Sequence, residues 1–204
     1  MSLIARAKNI IMQPKAEWQV IDTEPATVGG LYTGYIIPLS LIPAIASVIG
    51  FGVFGLSLPI IGTIRPPIGS LAVGAVVRFV LGLVGVYILA LIIDALAPTF
   101  TGTKNSIQAL KVAAYSYTAA WVFGILSIIP ALGIIGGLLG LYSLYLLYTG
   151  LPVLMKSPPE KAMGYTVVVI IVGIILAIVI SVVVSALGFG VGSMGMGGMT
   201  RPAM

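Results

Sequence analysis

The chain has neither cysteine nor histidine among its 204 residues. Disulfides, thiolate nucleophiles, imidazole bases and the commonest zinc and haem ligands are excluded together. Charge is also scarce: Asp, Glu, Lys and Arg make up 7% of the sequence, whereas soluble domains carry about a quarter. With 59% hydrophobic residues, the chain must use lipid as its solvent. Acidic side chains are the rarest charges, five against ten basic ones. The excess of positive charge falls in short groups flanking apolar runs and not in a stripe, which argues against a nucleic-acid partner. No metal or cofactor is implied.

What is present is a series of apolar segments of about 20 residues, the length of one helical crossing. They predict an all-α membrane protein: a five-transmembrane-helix bundle preceded by an interfacial amphipathic helix. Three regions follow, an interfacial segment over 1–33, a membrane domain over 34–187 and a Gly/Met-rich tail over 188–204. In residues 3–13, Leu3, Ile4, Ala7, Ile10 and Ile11 share one helical face. Arg6, Lys8 and Lys15 are placed to reach lipid headgroups, with Trp18 in the same layer. A partner-binding helix is the other reading. Glu17, Asp22 and Glu24 read as a solvated connector.

The first span, about 34–55, contains Pro38 and Pro43. Each proline removes an intrahelical donor, so the Leu39 carbonyl is a possible ion ligand beside the plainer reading of a packing kink. The loop over 56–69, with Pro59, Pro66 and Pro67, reads as a stiff connector. The second span, about 70–97, carries Arg78 and Asp94, sixteen residues and about 24 Å apart, too far to pair. Arg78 is therefore an isolated intramembrane charge, sharing its face with Gly74, Gly82 and Gly85. The last span, about 165–187, shows Gly173, Ala177, Ser181 and Ser185 at every fourth position. Such a small-residue ridge serves packing within one bundle or a homodimer contact. In the tail, Met194, Met196 and Met199 are conceivable copper(I) ligands, though the segment reads first as disordered.

Polar residues concentrate between Asp94 and Trp121. The third segment, about 107–129, lines up Gln108, Lys111, Tyr115 and Thr118 on one face. The fourth, about 132–155, gathers Tyr142, Tyr145, Tyr148 and Thr149 in its second half. An antiparallel hairpin brings these halves to one depth, where with Asp94 they are expected to line a single inward-facing pocket. Lys111 is the expected partner of Asp94, because an ionisable group inside a membrane is normally paired, hydrated or functional. The pocket is then either a structural ion pair with tyrosines fixing helix register or a site for a ligand, ion or proton.

Five crossings with an inside N-terminus put Arg6, Lys8, Lys15, Lys104, Lys111, Lys156 and Lys161 on the cytoplasmic side, against Arg65 and Arg201 outside. A re-entrant hairpin of the third and fourth segments would give the same count. Length favours crossing, since the third segment reaches roughly 33 Å against a core of about 30 Å. The first span is expected to serve as its own insertion signal.

The chain resembles the bacterial branch of the Yip (Ypt-interacting protein) family of five-span membrane proteins over about residues 8–187. The resemblance rests on Pro14 and Trp18, LAPTFTGTKN from Leu96, ALKVAAYSYTAAW from Ala109, YSLYLLYTGLPVLMK from Tyr142 and PPEKAMGYTVV from Pro158. It implies five helices, a cytoplasmic N-terminus and an outward C-terminus, in a bacterial inner membrane. Eukaryotic relatives are associated with Rab GTPases through a longer N-terminal region and a DLYGP motif. Neither is found here, so that role is not carried over.

Two functions are expected from this reading. One is a non-enzymatic scaffold or adaptor contacting lipid or another membrane protein. The other is a small transporter or channel component with an ion or proton site around Asp94 and Lys111. An enzyme is disfavoured, because only Asp94 with a tyrosine or serine could supply a base and a nucleophile.

Overall fold

The computed structural model describes residues 1–58, 62–64 and 67–189. Five helical stretches are long and apolar enough to cross a membrane: Val28–Phe54, Ile68–Phe100, Ser106–Ile128, Pro130–Leu154 and Pro159–Gly188. These are the first to fifth spans of an all-α membrane bundle. Two helices precede them, α1 (Leu3–Met12) and α2 (Pro14–Thr23). The expected proline connector after the first span contains a short antiparallel ladder, β1 (Leu56–Leu58) on β2 (Gly62–Ile64). Pro59, Arg65, Pro66, Met194, Met196 and Met199 lie outside the described residues.

The third span is the centre of the bundle. Of its most apolar stretch 61% is buried, against 11% for the fifth span. Burial explains composition here: a helix surrounded by protein can carry polar groups that find partners, whereas a helix facing lipid must be apolar all round. The third and fourth spans form an antiparallel hairpin whose tip lies against Gly50, four residues before the end of the first span. A Cβ at Gly50 would stand 2.2 Å from the Ser127 carbonyl oxygen. At Gly124 it would stand 2.6 Å from the Pro43 ring, so Pro43 is a packing surface for the third span.

Local chemistry sets the helix ends. Ser2 accepts from the Ala5 N–H at 3.2 Å, Thr27 from Gly30 at 3.1 Å and Asn105 from Gln108 at 3.1 Å, each filling a donor left open by the first turn. Thr27 starts the first span at Val28, earlier than the apolar run suggests. Pro14 begins α2 directly after α1, because its fixed φ suits a first helical position and its ring excludes helical geometry from Gln13. The turn over Tyr32–Ile36 is wider than α-helical and precedes Pro38, which offers no N–H to the preceding turn.

The end of the bundle under α1 and α2, here the proximal end, is tied together by its loops. Thr103 N–H donates to the Met155 carbonyl at 2.7 Å, joining the turn after the second span to the turn after the fourth. Gly102 permits this approach, since a Cβ there would stand 2.7 Å from the same carbonyl oxygen. α1 is amphipathic, as its sequence pattern indicates, but part of its apolar face is used inside the protein. Ala7 and Ile10 are buried in the core shared with the third and fourth spans, while Ile4 and Met12 remain exposed.

Candidate functional site

The polar stripe of the third span is where the N-terminal segment docks. α2 ends at Thr23, leaving last-turn carbonyls without intrahelical donors and a partial negative charge at that terminus. Two side chains of the third span meet them. The Lys111 ammonium donates to the carbonyls of Ile21 at 2.8 Å and Glu24 at 2.5 Å. The Gln108 amide donates to the Asp22 carbonyl at 3.0 Å and to its carboxylate at 3.1 Å. Lys156, from the turn after the fourth span, completes Asp22 as an ion pair. A buried lysine is thus held by a helix C-terminus, where a cation is favoured.

A second layer lies beside it. The buried Arg6 guanidinium pairs with Glu17 at 2.5 Å and with Glu24, and stands 5.7 Å from the centre of the Tyr115 ring. Burial works against the charge of Arg6; the hydrogen bond to Glu24 and the surrounding negative charge outweigh it and hold its pKa above the ordinary arginine value. Trp18 is fully buried, donates to the Thr149 hydroxyl at 3.1 Å and meets Tyr115 edge-on. Tyr115 in turn packs against Tyr35, whose hydroxyl shares a 2.7 Å hydrogen bond with Thr118. Tyr142 donates to the Ile11 carbonyl at 3.0 Å.

Several sequence expectations change. Lys111 does not pair with Asp94, because the N-terminal segment folds back and occupies the ammonium first. Asp94 sits apart on the second span with a buried Oδ1 that has no hydrogen-bond partner. Its neighbour Tyr165 donates to the Ile93 carbonyl and stacks on Phe100 at 4.8 Å. Tyr145 and Tyr148 are 40% and 38% exposed, Tyr145 touching the cluster at its rim through the Tyr142 ring at 5.3 Å. Arg6 and Trp18 are buried within the protein, while Lys8 and Lys15 are exposed. The solvated acidic connector is also corrected, since Glu17 is buried and Asp22 and Glu24 are bonded.

The structure therefore brings together Gln108, Lys111, Tyr115, Thr118, Tyr142 and Thr149 from the expected stripe, and adds Tyr35, Glu17, Asp22 and Glu24. The added acids had one legible signal. Three of the five acids of the chain fall within eight residues, Glu17 to Glu24, opposite a span holding a lysine and a glutamine. Arg6, Lys111 and Lys156 balance them in charge. Among the described residues no three metal-ligating side chains come together. Of the expected ridge on the fifth span, Ala177, Ser181 and Ser185 stay exposed. Gly173, the remaining member, faces the second span, where a Cβ would stand 3.9 Å from Leu89, and the fifth span also meets the second through Leu176 and Ile180, the two side chains a Cβ at Gly85 would touch.

Four apolar helices around a central, more polar third span, closed at one end by a docked helical pair, define an integral multi-pass membrane protein. The chain belongs to the Yip1 domain family, whose profile matches residues 8–198. No curated protein and no solved structure matches it.

Proposed function

We propose that this protein is a non-enzymatic scaffold of the bacterial branch of its family, seated in the cytoplasmic membrane with its proximal end in the cytoplasm. Its N-terminal platform would contact anionic lipid headgroups and a second membrane protein. The observation that carries this reading is the network of paired charges beneath the platform. Its cations and carboxylates are consumed by one another and by main-chain carbonyls. Among the described residues the exposed free charge of that end is then Lys8, Lys15, Lys104 and Lys161 against Glu160. A basic surface beside apolar Ile4 and Met12 suits an anionic membrane face. The distribution of basic residues supports the inside orientation.

The test is a photocrosslinker placed at Lys8 or Lys15 in native membranes, with adducts identified by mass spectrometry. A discrete protein adduct, lost when Gly150→Val displaces the platform, supports the adaptor reading. Lipid adducts alone reduce it to a headgroup anchor, and the absence of both removes it. A homodimer through Gly173, Ala177, Ser181 and Ser185 belongs to the same reading, and disulfide trapping of Ser181→Cys reports on it.

A second reading rests on the unpartnered Asp94 Oδ1, since a buried carboxyl oxygen without a donor is costly unless it serves an ion or proton. It makes the protein a small transporter or channel component. Proton flux in proteoliposomes, abolished by Asp94→Asn in a folded protein, supports it; flux absent from the wild type removes it.

A further inference from the structure

Away from the platform, the half of the bundle farther from α1 and α2 holds a cavity of about 570 Å³ between the first, second, third and fifth spans, with Pro130 and Gly133 at the start of the fourth completing its wall. Arg78 stands on its wall. Among the described residues this arginine has no acidic partner, because every acid of the chain is placed elsewhere. Of the five acids, Glu17, Asp22 and Glu24 are committed to the platform. Asp94 lies sixteen residues further along the same helix, about 24 Å away. Glu160 starts the fifth span at the proximal end. Nor does any main-chain carbonyl among the described residues accept from Arg78. An intramembrane arginine costs roughly 2.5–3.5 kcal/mol on insertion scales and is normally paired or functional.

We propose that this cavity binds one anionic phospholipid, its phosphate held by Arg78 and an acyl chain lying in the groove beside it. Four observations converge on that occupant. The volume falls within the roughly 300–1,000 Å³ of ligand pockets. The groove offers one cation, no carboxylate and a largely apolar wall that includes Phe51, Leu176 and Trp121, which complements a negative head joined to a hydrocarbon chain. Arg78 is exposed on the bundle surface, and within a span that surface faces the bilayer, so the mouth admits lipid. Side chains of a helix lean toward its N-terminus; the second span begins at the far end, so the guanidinium leans toward the nearer headgroup layer. Its planar donors suit two phosphate oxygens at once.

The glycines sharing the arginine's face keep the groove open. A Cβ at Gly82 would meet nothing within 4 Å, whereas one at Gly85 would stand 3.0 Å from Ile180. The fifth span thus closes the groove one turn beyond Gly82. Gly82→Leu fills the opening without altering any charge.

The experiment is native mass spectrometry of the full chain released from nanodiscs of equimolar dioleoyl phosphatidylglycerol and dioleoyl phosphatidylcholine. Wild type should retain one phosphatidylglycerol with a preference on the order of tenfold. Arg78→Gln should lower the preference to what the basic platform alone gives, Arg78→Lys should keep part of the difference, and Gly82→Leu should remove the cavity-bound lipid with Arg78 intact. Lipid held by the basic platform is common to all of these proteins and cancels. Inorganic phosphate added at millimolar concentration should leave the lipid in place; displacement by phosphate would overturn the assignment to a lipid. Equal retention of both lipids by wild type, or an unchanged preference in Arg78→Gln, also overturns it. Should Arg78→Gln not fold, retention by Gly82→Leu against wild type decides the matter.

Discussion

Trp18 lies flat over Gly150: a methyl group at that glycine would stand 2.6 Å from two atoms of the indole. The same indole donates to Thr149, one residue earlier and 131 residues from Trp18 in sequence. Only a glycine lets the fourth span accept the ring so closely, and the adjoining hydroxyl fixes its orientation. This contact fastens the N-terminal helices to the bundle.

Gly150→Val should therefore lift α2 away. Overpacking of this kind costs about 1–3 kcal/mol, and the measurable signs are a lower thermal midpoint in detergent, a red shift of tryptophan emission and faster protease cleavage before residue 28. Thr149→Val, which removes only the acceptor, should cost about 1 kcal/mol and leave the protease pattern unchanged.

Lys111 and Asp94 should behave as strangers. Lys111→Met leaves the Ile21 and Glu24 carbonyls without their donor, at a cost of about 1–3 kcal/mol. Asp94→Asn touches none of those groups. The double variant should be additive within about 0.5 kcal/mol, measured by thermal unfolding of all four proteins. A coupling well above that would restore a direct pair.

Arg6 and Glu17 should be strongly coupled. Both side chains are nearly inaccessible, at 6% and 7% exposure, and removing one partner of such a pair leaves a buried charge uncompensated, at about 3–5 kcal/mol. Glu24, more exposed and bonded to the same guanidinium, will soften the loss for Glu17→Gln more than for Arg6→Gln. Arg6→Met combined with Glu17→Leu should recover much of the stability of either single variant.

Lys156 provides the contrast. It pairs with Asp22 but is 55% exposed, and exposed pairs are worth about 0–1 kcal/mol. Lys156→Ala should shift the thermal midpoint little, and added salt should erase the difference.

Much of the architecture could be read from the chain. Apolar runs announced five spans, and the wide spacing of Arg78 and Asp94 along one helix ruled out their pairing before any fold was known. The stripe of Gln108, Lys111, Tyr115 and Thr118 was visible because helical periodicity is a local property. Its partners were not. Nothing local tells Lys111 that its acceptors are the carbonyls of Ile21 and Glu24, since a carbonyl leaves no mark in the residue alphabet. The tyrosines of the fourth span show the same limit: Tyr142, Tyr145 and Tyr148 look alike in sequence, yet Tyr142 donates to α1 while the other two are exposed.

By itself, then, the sequence determined the solvent, the number of apolar spans long enough to cross and the scarcity of acids, because each follows from composition and spacing along the chain. Tertiary structure decided which charges meet. Those pairings depend on how the N-terminal helices fold back over the bundle, a path set by the fit of Trp18 on Gly150 and by unfilled carbonyls at the end of α2. Shape and main-chain valence of that kind exist only once distant segments are brought together.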